Sequence, residues 1–314
     1  MHRVVVTERI DEAGLHLLRA RTDCIEMFAG TSPLQALLPE ADALVVRIRP
    51  IGEAELDHAP RLRVIGKHGI GVDNIDLAAA RARGIAVVFT PGSNGEAVAE
   101  HTLTVMLMLA RRIESSIAHA RAGRFQDGRD AAPGFDLQGR TLGLIGVGRI
   151  GGRVAQICRA ALDTPVLAYD PYASDAHLAA IGAERCNVVD DVVRAADIVS
   201  IHTPLTSETR HIIDARRLDL MRPHAIVINC ARGSLIDERA LAEALRAGTI
   251  GGAAIDAFAQ EPPPLDHPLL HLPNCIVTPH IAGGSQEAMR LTATMVAEDV
   301  LRVLAGEAPR WPVP

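Results

Sequence analysis

The sequence predicts an α/β chain folded as two doubly wound, parallel-sheet domains. Three observations carry that reading. The chain has 314 residues, more than one hydrophobic core usually serves. Short β-branched runs alternate with helical stretches along its whole length, the signature of strands separated by crossover helices. It is 48% hydrophobic but only 3% aromatic, so its core must be built from Ala, Val, Leu and Ile, as in buried parallel sheets under Ala-rich helices.

In chain order, residues 3–7, 24–27, 43–47, 62–66 and 85–89 read as buried strands, with helices at 11–20 and 77–83 between them. Five such strands make a flavodoxin-like domain. A Leu-, Met- and Ala-rich helix is expected from about Ala97 to Arg111. Residues 123–139 then lose the periodicity among glycines, Pro133 and charges, and read as a crossing loop. Alternation restarts with six candidate strands at 141–145, 166–169, 197–201, 225–229, 252–255 and 275–278, the count of a dinucleotide-binding sheet. Ser285 is placed to cap a last helix that Gly306 would end near Ala305.

The same composition excludes several functions. A net charge of -6 with eight aromatic residues in all argues against a nucleic-acid binder. The longest strongly apolar stretch, 103–110, is far short of the ~18 residues of a membrane span. Charge returns in Met-His-Arg-Val-Val-Val-Thr-Glu-Arg before a signal-peptide core can form. Five scattered cysteines with no Cys-x-x-Cys pair suggest neither zinc site nor disulfide framework, and a cytoplasmic, reducing compartment. No metal is expected.

The most informative local motif is Gly146-Val-Gly148-Arg149-Ile150-Gly151, flanked by a strand before it, a helix to about Leu162 and a second strand after it. In this Rossmann context Gly146 allows the tight turn, Gly148 lets a pyrophosphate approach, and Gly151 lets helix and strand pack closely. Free N–H groups at the helix start favour the anion. Asp170, 19 positions beyond Gly151, is placed for the ribose hydroxyls. Its charge would repel a 2′-phosphate, so NAD is expected rather than NADP. Three further segments end predicted strands on the same side. They carry Asn229-Cys230-Ala231-Arg232, Asp256 with Glu261, and Thr278-Pro279-His280, and so gather a cation, carboxylates and an imidazole.

With these segments in place the sequence resembles the D-isomer-specific 2-hydroxyacid dehydrogenases, the family of D-3-phosphoglycerate dehydrogenase and glyoxylate/hydroxypyruvate reductase. The likeness spans nearly the whole chain. It rests on Gly-Ile-Gly-Val-Asp-Asn-Ile-Asp at 69–76, the Gly146–Gly151 turn, His-Thr-Pro-Leu at 202–205, Asn-Cys-Ala-Arg-Gly at 229–233, Asp256, Glu261-Pro and Thr-Pro-His-Ile-Ala-Gly at 278–283. The resemblance implies reversible hydride transfer between NAD(H) and a small 2-oxo or 2-hydroxy acid. Arg232 would clamp the substrate carboxylate and polarise the 2-oxo group. His280 would pass a proton to or from the oxygen, with Glu261 favouring its imidazolium form. Asp256 would orient the nicotinamide carboxamide. The backbone at Ile70 and Gly71 would bind the substrate carboxylate, with Arg47 and His68 as further substrate contacts. Cofactor contacts would include Thr102, Arg149, Ile150, Cys230, Ala231, Ala282 and Gly283, with His202, Thr203, Pro204 and Thr209 over the adenine. His202 itself reads as structural, and Glu100 and His101 as hinge or packing residues.

The family pattern narrows the substrate. Formate dehydrogenases of this type carry glutamine where Glu261 stands, and phosphite dehydrogenases a lysine where Ile70 stands. The implied organisation is a substrate domain at 1–100 and 284–314, interrupted by a cofactor domain at 101–283, with hinges near both joins and closure that expels water. No regulatory C-terminal domain is expected. A homodimer is expected through the 101–122 helices and the 123–139 loop. An NAD(H)-sensing corepressor is the alternative, since such proteins resemble the family, but no partner-binding tail supports it.

Overall fold

Val4, Val5 and Val6 are all buried, so the first strand has no solvent face and the sheet it starts must be covered on both sides. The computed structural model describes residues 1–30, 32–131 and 133–313. Of the expected 123–139 loop, position 132 therefore lies outside the described residues. The chain divides into two compact units, Met1–Asn94 with Gly284–Pro314, and Gly95–Gly283. The first crossing precedes the expected residue 100 because Gly95 already opens the Gly95–Ala110 helix.

The first unit holds β1 (Arg3–Val6), β2 (Asp23–Glu26), β3 (Ala43–Val46), β4 (Val64–Lys67) and β5 (Ala86–Val88). All pair in parallel, in the order β2-β1-β3-β4-β5, which is the flavodoxin-like order. One face packs Val5, Leu44, Val46 and Ile65 on Leu34, Leu38 and Leu56. The other packs Val4, Val6, Val64 and Val88 on Val296 and Val300 of the Gln286–Leu304 helix. That helix starts where Ser285 accepts the Ala288 N–H. It lies so close to the sheet that a Cβ on Gly66 would stand 2.6 Å from Val300 Cγ2.

The second unit holds β6 (Leu142–Ile145), β7 (Val166–Tyr169), β8 (Ala183–Arg185), β9 (Ile198–Ile201), β10 (Ile226–Asn229), β11 (Gly252–Ile255) and β12 (Cys275–Val277). They form one parallel sheet in the order β12-β11-β10-β9-β6-β7-β8. Chain order reverses beside β6, which gives the Rossmann switch point, with β12 added beyond the usual six strands. The expected count of six falls one short, because β8 is a three-residue edge strand, Ala-Glu-Arg, with no β-branched residue to announce it. Aliphatic side chains fill both faces, and Phe258 is the one aromatic among the described residues buried there.

The helix expected from about Ala97 to Arg111 runs over Gly95–Ala110, and a second, Ile113–Arg121, follows it with Arg112 between them at φ 49°. One expectation is corrected: the 123–139 segment is not all loop, since Phe125–Asp130 is helical. Every residue of that helix is exposed or half-exposed, so no apolar period marked it in the sequence. Among the described residues, no helix is long and apolar enough to cross a membrane.

Candidate active site

Chemistry-bearing residues collect at the carboxyl ends of the second sheet, where open α/β sheets place ligands. The glycine turn joins β6 to the Arg149–Leu162 helix. Gly146 has φ +88°, and a Cβ on it would stand 2.7 Å from the His202 carbonyl oxygen. A Cβ on Gly151 would stand 2.2 Å from the Gly146 carbonyl oxygen, so helix and turn touch backbone to backbone. Gly148 differs: a Cβ there would meet nothing within 4 Å, and no side chain caps the helix it begins. The turn thus offers open space beside the N–H groups of Arg149 and Ile150, a cradle suited to an anion. At the end of β7, Asp170 accepts the Val147 N–H with Oδ2 and the Tyr172 N–H with Oδ1, both at 2.9 Å. Each oxygen keeps a lone pair for a further donor.

After β9, His202 shares a hydrogen bond with Ser200 Oγ at 2.8 Å, and burial pushes its pKa down to about 4. With that pKa its ring is neutral at pH 7. Thr209 donates to the Pro204 carbonyl at 2.7 Å and accepts the Thr206 N–H at 2.7 Å, closing the loop that carries Thr203 and Pro204. Cys230 is buried, its thiol pushed up to about 12 by desolvation. Thr102 is buried too, with its hydroxyl given to the Val98 carbonyl at 2.7 Å. Both sit in the packing beneath the strand ends.

Arg232 follows β10 in an extended conformation, φ -139° and ψ 136°. Asn229 shapes its approach: the side-chain carbonyl accepts the Ala231 N–H at 3.0 Å and the amide donates to the Arg232 carbonyl at 2.8 Å. Sequence reasoning gave Asn229 no role of its own, although an Asn two residues before such a bend is the signal of an Asx turn. Arg232 Nη1 donates to the Ala231 carbonyl at 2.8 Å.

The β11 and β12 ends are joined through Asp256, which is buried. Its Oδ1 accepts the Thr278 hydroxyl at 2.6 Å and the Ile281 N–H at 2.8 Å, and its Oδ2 accepts the Ala282 N–H at 2.9 Å. Asp256 therefore builds the turn that carries His280, a task that sequence reasoning did not assign to it. His101 reaches the same place, with Nε2 3.4 Å from Thr278 Oγ1. His280 itself has φ +53°, a left-handed conformation that a non-glycine residue adopts only when its surroundings impose it. Its Nδ1 lies 2.8 Å from Glu261 Oε2 and 3.0 Å from Oε1. Glu261 also accepts the Phe258 N–H at 3.0 Å. Both side chains remain partly solvent-facing, 45% exposed for His280 and 36% for Glu261.

In the first unit, Arg47 follows β3 and His68 follows β4. Glu8 accepts the N–H groups of Arg47, Ile48 and Arg49, fixing that bend. Burial opposes its ionisation, but these donors and Thr7 prevail and hold its pKa below the usual carboxylate value. Nothing in the sequence pattern pointed to Glu8. Burial, then the Arg47 charge, lowers the His68 pKa to about 4, and its Nε2 is buried without a hydrogen-bond partner. Gly69, at φ +141°, turns the chain, and its N–H meets Thr90 Oγ1 at 3.2 Å. Among the described residues no backbone carbonyl takes the N–H of Ile70 or Gly71.

Comparison with known proteins identifies the family. Residues 103–282 match the family model described as D-isomer specific 2-hydroxyacid dehydrogenase, NAD binding domain. The chain is 40% identical over 310 residues to the D-3-phosphoglycerate dehydrogenase of Methanocaldococcus jannaschii, covering 98% of this chain and 58% of that protein. It thus spans little more than half the length of the curated relatives it matches. Among solved structures, a Thermus thermophilus protein superposes with a TM-score of 0.86 at 37% identity, covering 99% of this chain and all of that one. The NAD-dependent formate dehydrogenase of Staphylococcus aureus, in complex with NAD, superposes with a TM-score of 0.87 at 27% identity, covering 100% and 99%. The chain belongs to the D-isomer specific 2-hydroxyacid dehydrogenase family, and residues 103–282 are its NAD-binding domain.

Proposed function

We propose that the chain reversibly reduces a small 2-oxo acid to the D-2-hydroxy acid with NAD(H). The observation that carries this reading is the Glu261–His280 pair, hydrogen-bonded at 2.8 Å on the sheet edge that also presents Arg232. The dinucleotide, when bound, supplies or accepts the hydride at C2. Its pyrophosphate fits the open cradle at Gly148, Arg149 and Ile150, and its ribose hydroxyls fit the remaining lone pairs of Asp170. A carboxylate at that position favours NAD over its 2′-phosphorylated form.

The protein residues then do the following. Arg232 holds the substrate carboxylate through its planar guanidinium and polarises the 2-oxo oxygen. His280 keeps Nδ1 on Glu261, so Nε2 faces the reacting oxygen and delivers the proton as that oxygen becomes a hydroxyl. Glu261 offsets the imidazolium charge, and in the reverse direction the same Nε2 receives the proton. In the first unit, the N–H groups of Ile70 and Gly71 suit a carboxylate, with Arg47 and His68 as the neighbouring substrate contacts. Cys230, Ala231, Asp256, Ala282 and Gly283, with Thr102, Thr203, Pro204 and Thr209, are assigned to the cofactor's surroundings.

A C2 homodimer completes the proposal. Leu107, Ile113, Ile117 and Phe125 stand exposed on three successive helices, Phe125 at 63%, and exposed apolar side chains of that kind suit a second copy. The compartment proposed is the cytoplasm, in keeping with five free cysteines of the kind a reducing environment preserves.

The test is NADH oxidation with a panel of glyoxylate, pyruvate, hydroxypyruvate, phosphohydroxypyruvate and 3-sulfopyruvate. At least one should be turned over. His280→Ala should lower kcat by about 10²-fold or more while NADH affinity changes less than about twofold. No turnover across the panel, with NADH still bound, would reject the reading.

A further inference from the structure

Glu238 opens the Glu238–Ala247 helix just after its Asp237 N-cap, yet its carboxylate reaches away from that helix. Oε1 accepts the Ala259 N–H at 2.7 Å, and Oε2 lies 3.2 Å from His267 Nε2. Both side chains are largely buried, at 15% and 14% exposure, so solvent weakens the pair little. The His267 ring meets Phe258 edge-on, with centroids 5.3 Å apart and planes at 86°. His267 Nδ1 is buried without a hydrogen-bond partner. The fold therefore tolerates an unsatisfied ring nitrogen to keep the other one on Glu238.

These contacts and their neighbours meet on the two peptides that flank Phe258, Glu238 and Gly233 on the Phe258–Ala259 peptide and Glu261 on the one before it. On one side Gly233, next to Arg232, packs so tightly that a Cβ would stand 2.0 Å from the Phe258 carbonyl carbon. On the other, the Phe258 N–H donates to Glu261 Oε1, whose carboxylate binds His280. A segment that begins with Arg232 and ends with Glu238 is thus fastened at both ends to the loop that carries Glu261.

We propose that Glu238, backed by His267, is a positioning residue that holds the Phe258–Ala259 peptide so that Glu261 stays on His280 in fixed register with Arg232. Glu238 touches neither substrate nor cofactor in this assignment; it acts through the loop. The inference rests on the dehydrogenase reading for its kinetic consequence and on geometry alone for its structural one. The charge of Glu238 is secondary to its acceptor oxygen, because the Ala259 N–H is a neutral donor that an amide carbonyl also satisfies.

The experiment uses the full chain, wild type beside Glu238→Ala, Glu238→Gln and His267→Phe. Steady-state kinetics are paired with the downfield proton resonance of the His280 Nδ1–H, assigned by its loss in His280→Ala. Glu238→Ala should lower kcat about tenfold, the scale of a sub-ångström misplacement, with the KM for NADH unchanged within about twofold and the resonance broadened or lost. Glu238→Gln should restore both. His267→Phe, which keeps a ring on Phe258, should fall between. Wild-type kcat and resonance in Glu238→Ala would overturn the assignment, as would a Gln variant as impaired as Ala. Should Glu238→Ala not fold, His267→Phe decides: an unchanged resonance and kcat reject the clamp, and any partial or full loss of both supports it. If the wild type turns over no 2-oxo acid, the dehydrogenase reading fails, and the resonance still decides whether Glu238 holds the pair.

Discussion

Thr278 donates its hydroxyl to Asp256 Oδ1 across 2.6 Å, linking the ends of two adjacent strands through a buried carboxylate. With the Ile281 and Ala282 N–H groups on the same side chain, this link shapes the left-handed turn at His280. Thr278→Val keeps the shape and removes the donor. It should destabilise the protein by about 1–3 kcal/mol, because the carboxylate stays buried with one partner fewer, and kcat should fall more than NADH affinity. Thermal melting and steady-state kinetics check this. A melting temperature and kcat equal to wild type would show that the two backbone donors suffice.

The glycines of the turn should separate packing from binding. Gly151→Ala places a methyl 2.2 Å from the Gly146 carbonyl oxygen and should destabilise by about 1–3 kcal/mol. Gly148→Ala meets no protein atom within 4 Å, so its melting temperature should stay near wild type while NADH binding weakens, as a methyl intrudes on the pyrophosphate. Calorimetry and fluorescence titration of NADH distinguish them. Equal losses of stability in both variants would remove the distinction.

Two enclosed histidines should make stability fall with acid. The pKa values of His68 and His202 are lowered from 6.5 to about 4, each chiefly by burial. Between those values the unfolded chain binds protons that the native chain does not, so stability rises with pH across pH 4 to 6.5 and is lost as pH falls. His68 accounts for on the order of 3 kcal/mol of this loss by pH 4, and His202, a half-buried residue, for less. Denaturant unfolding across this range should show the slope, and His68→Asn should reduce it. The same slope in that variant as in wild type would rule out His68 as a source.

Much of this was legible in the sequence, for physical reasons. Buried parallel strands need continuous apolar, mostly β-branched runs, so β1, β3 and β10 announced themselves, whereas β8, at a sheet edge with Glu184 exposed, had no such need. The glycine turn was readable because backbone contact at Gly146 and Gly151 forbids every other residue. Arg232, Glu261 and His280 stood out by chemical type and strand-end placement. What stayed hidden was second in line: Asn229, Glu8, Glu238 and the structural use of Asp256. These side chains bind backbone N–H groups, which nearly every residue has, often at long sequence separation. Glu238 and Ala259 are 21 positions apart, and no local period records such a pairing.

The strand order also acts as a ruler. Neighbouring strands stand ~4.8 Å apart, and β9 alone separates β6 from β10. The glycine cradle and the Arg232 bend are therefore held about 10 Å apart by backbone hydrogen bonds, and the β12 end that leads to His280 lies roughly 19 Å from the cradle across the sheet. Side-chain substitution can retune what happens at each mark. Only the gain or loss of a strand could move the marks themselves.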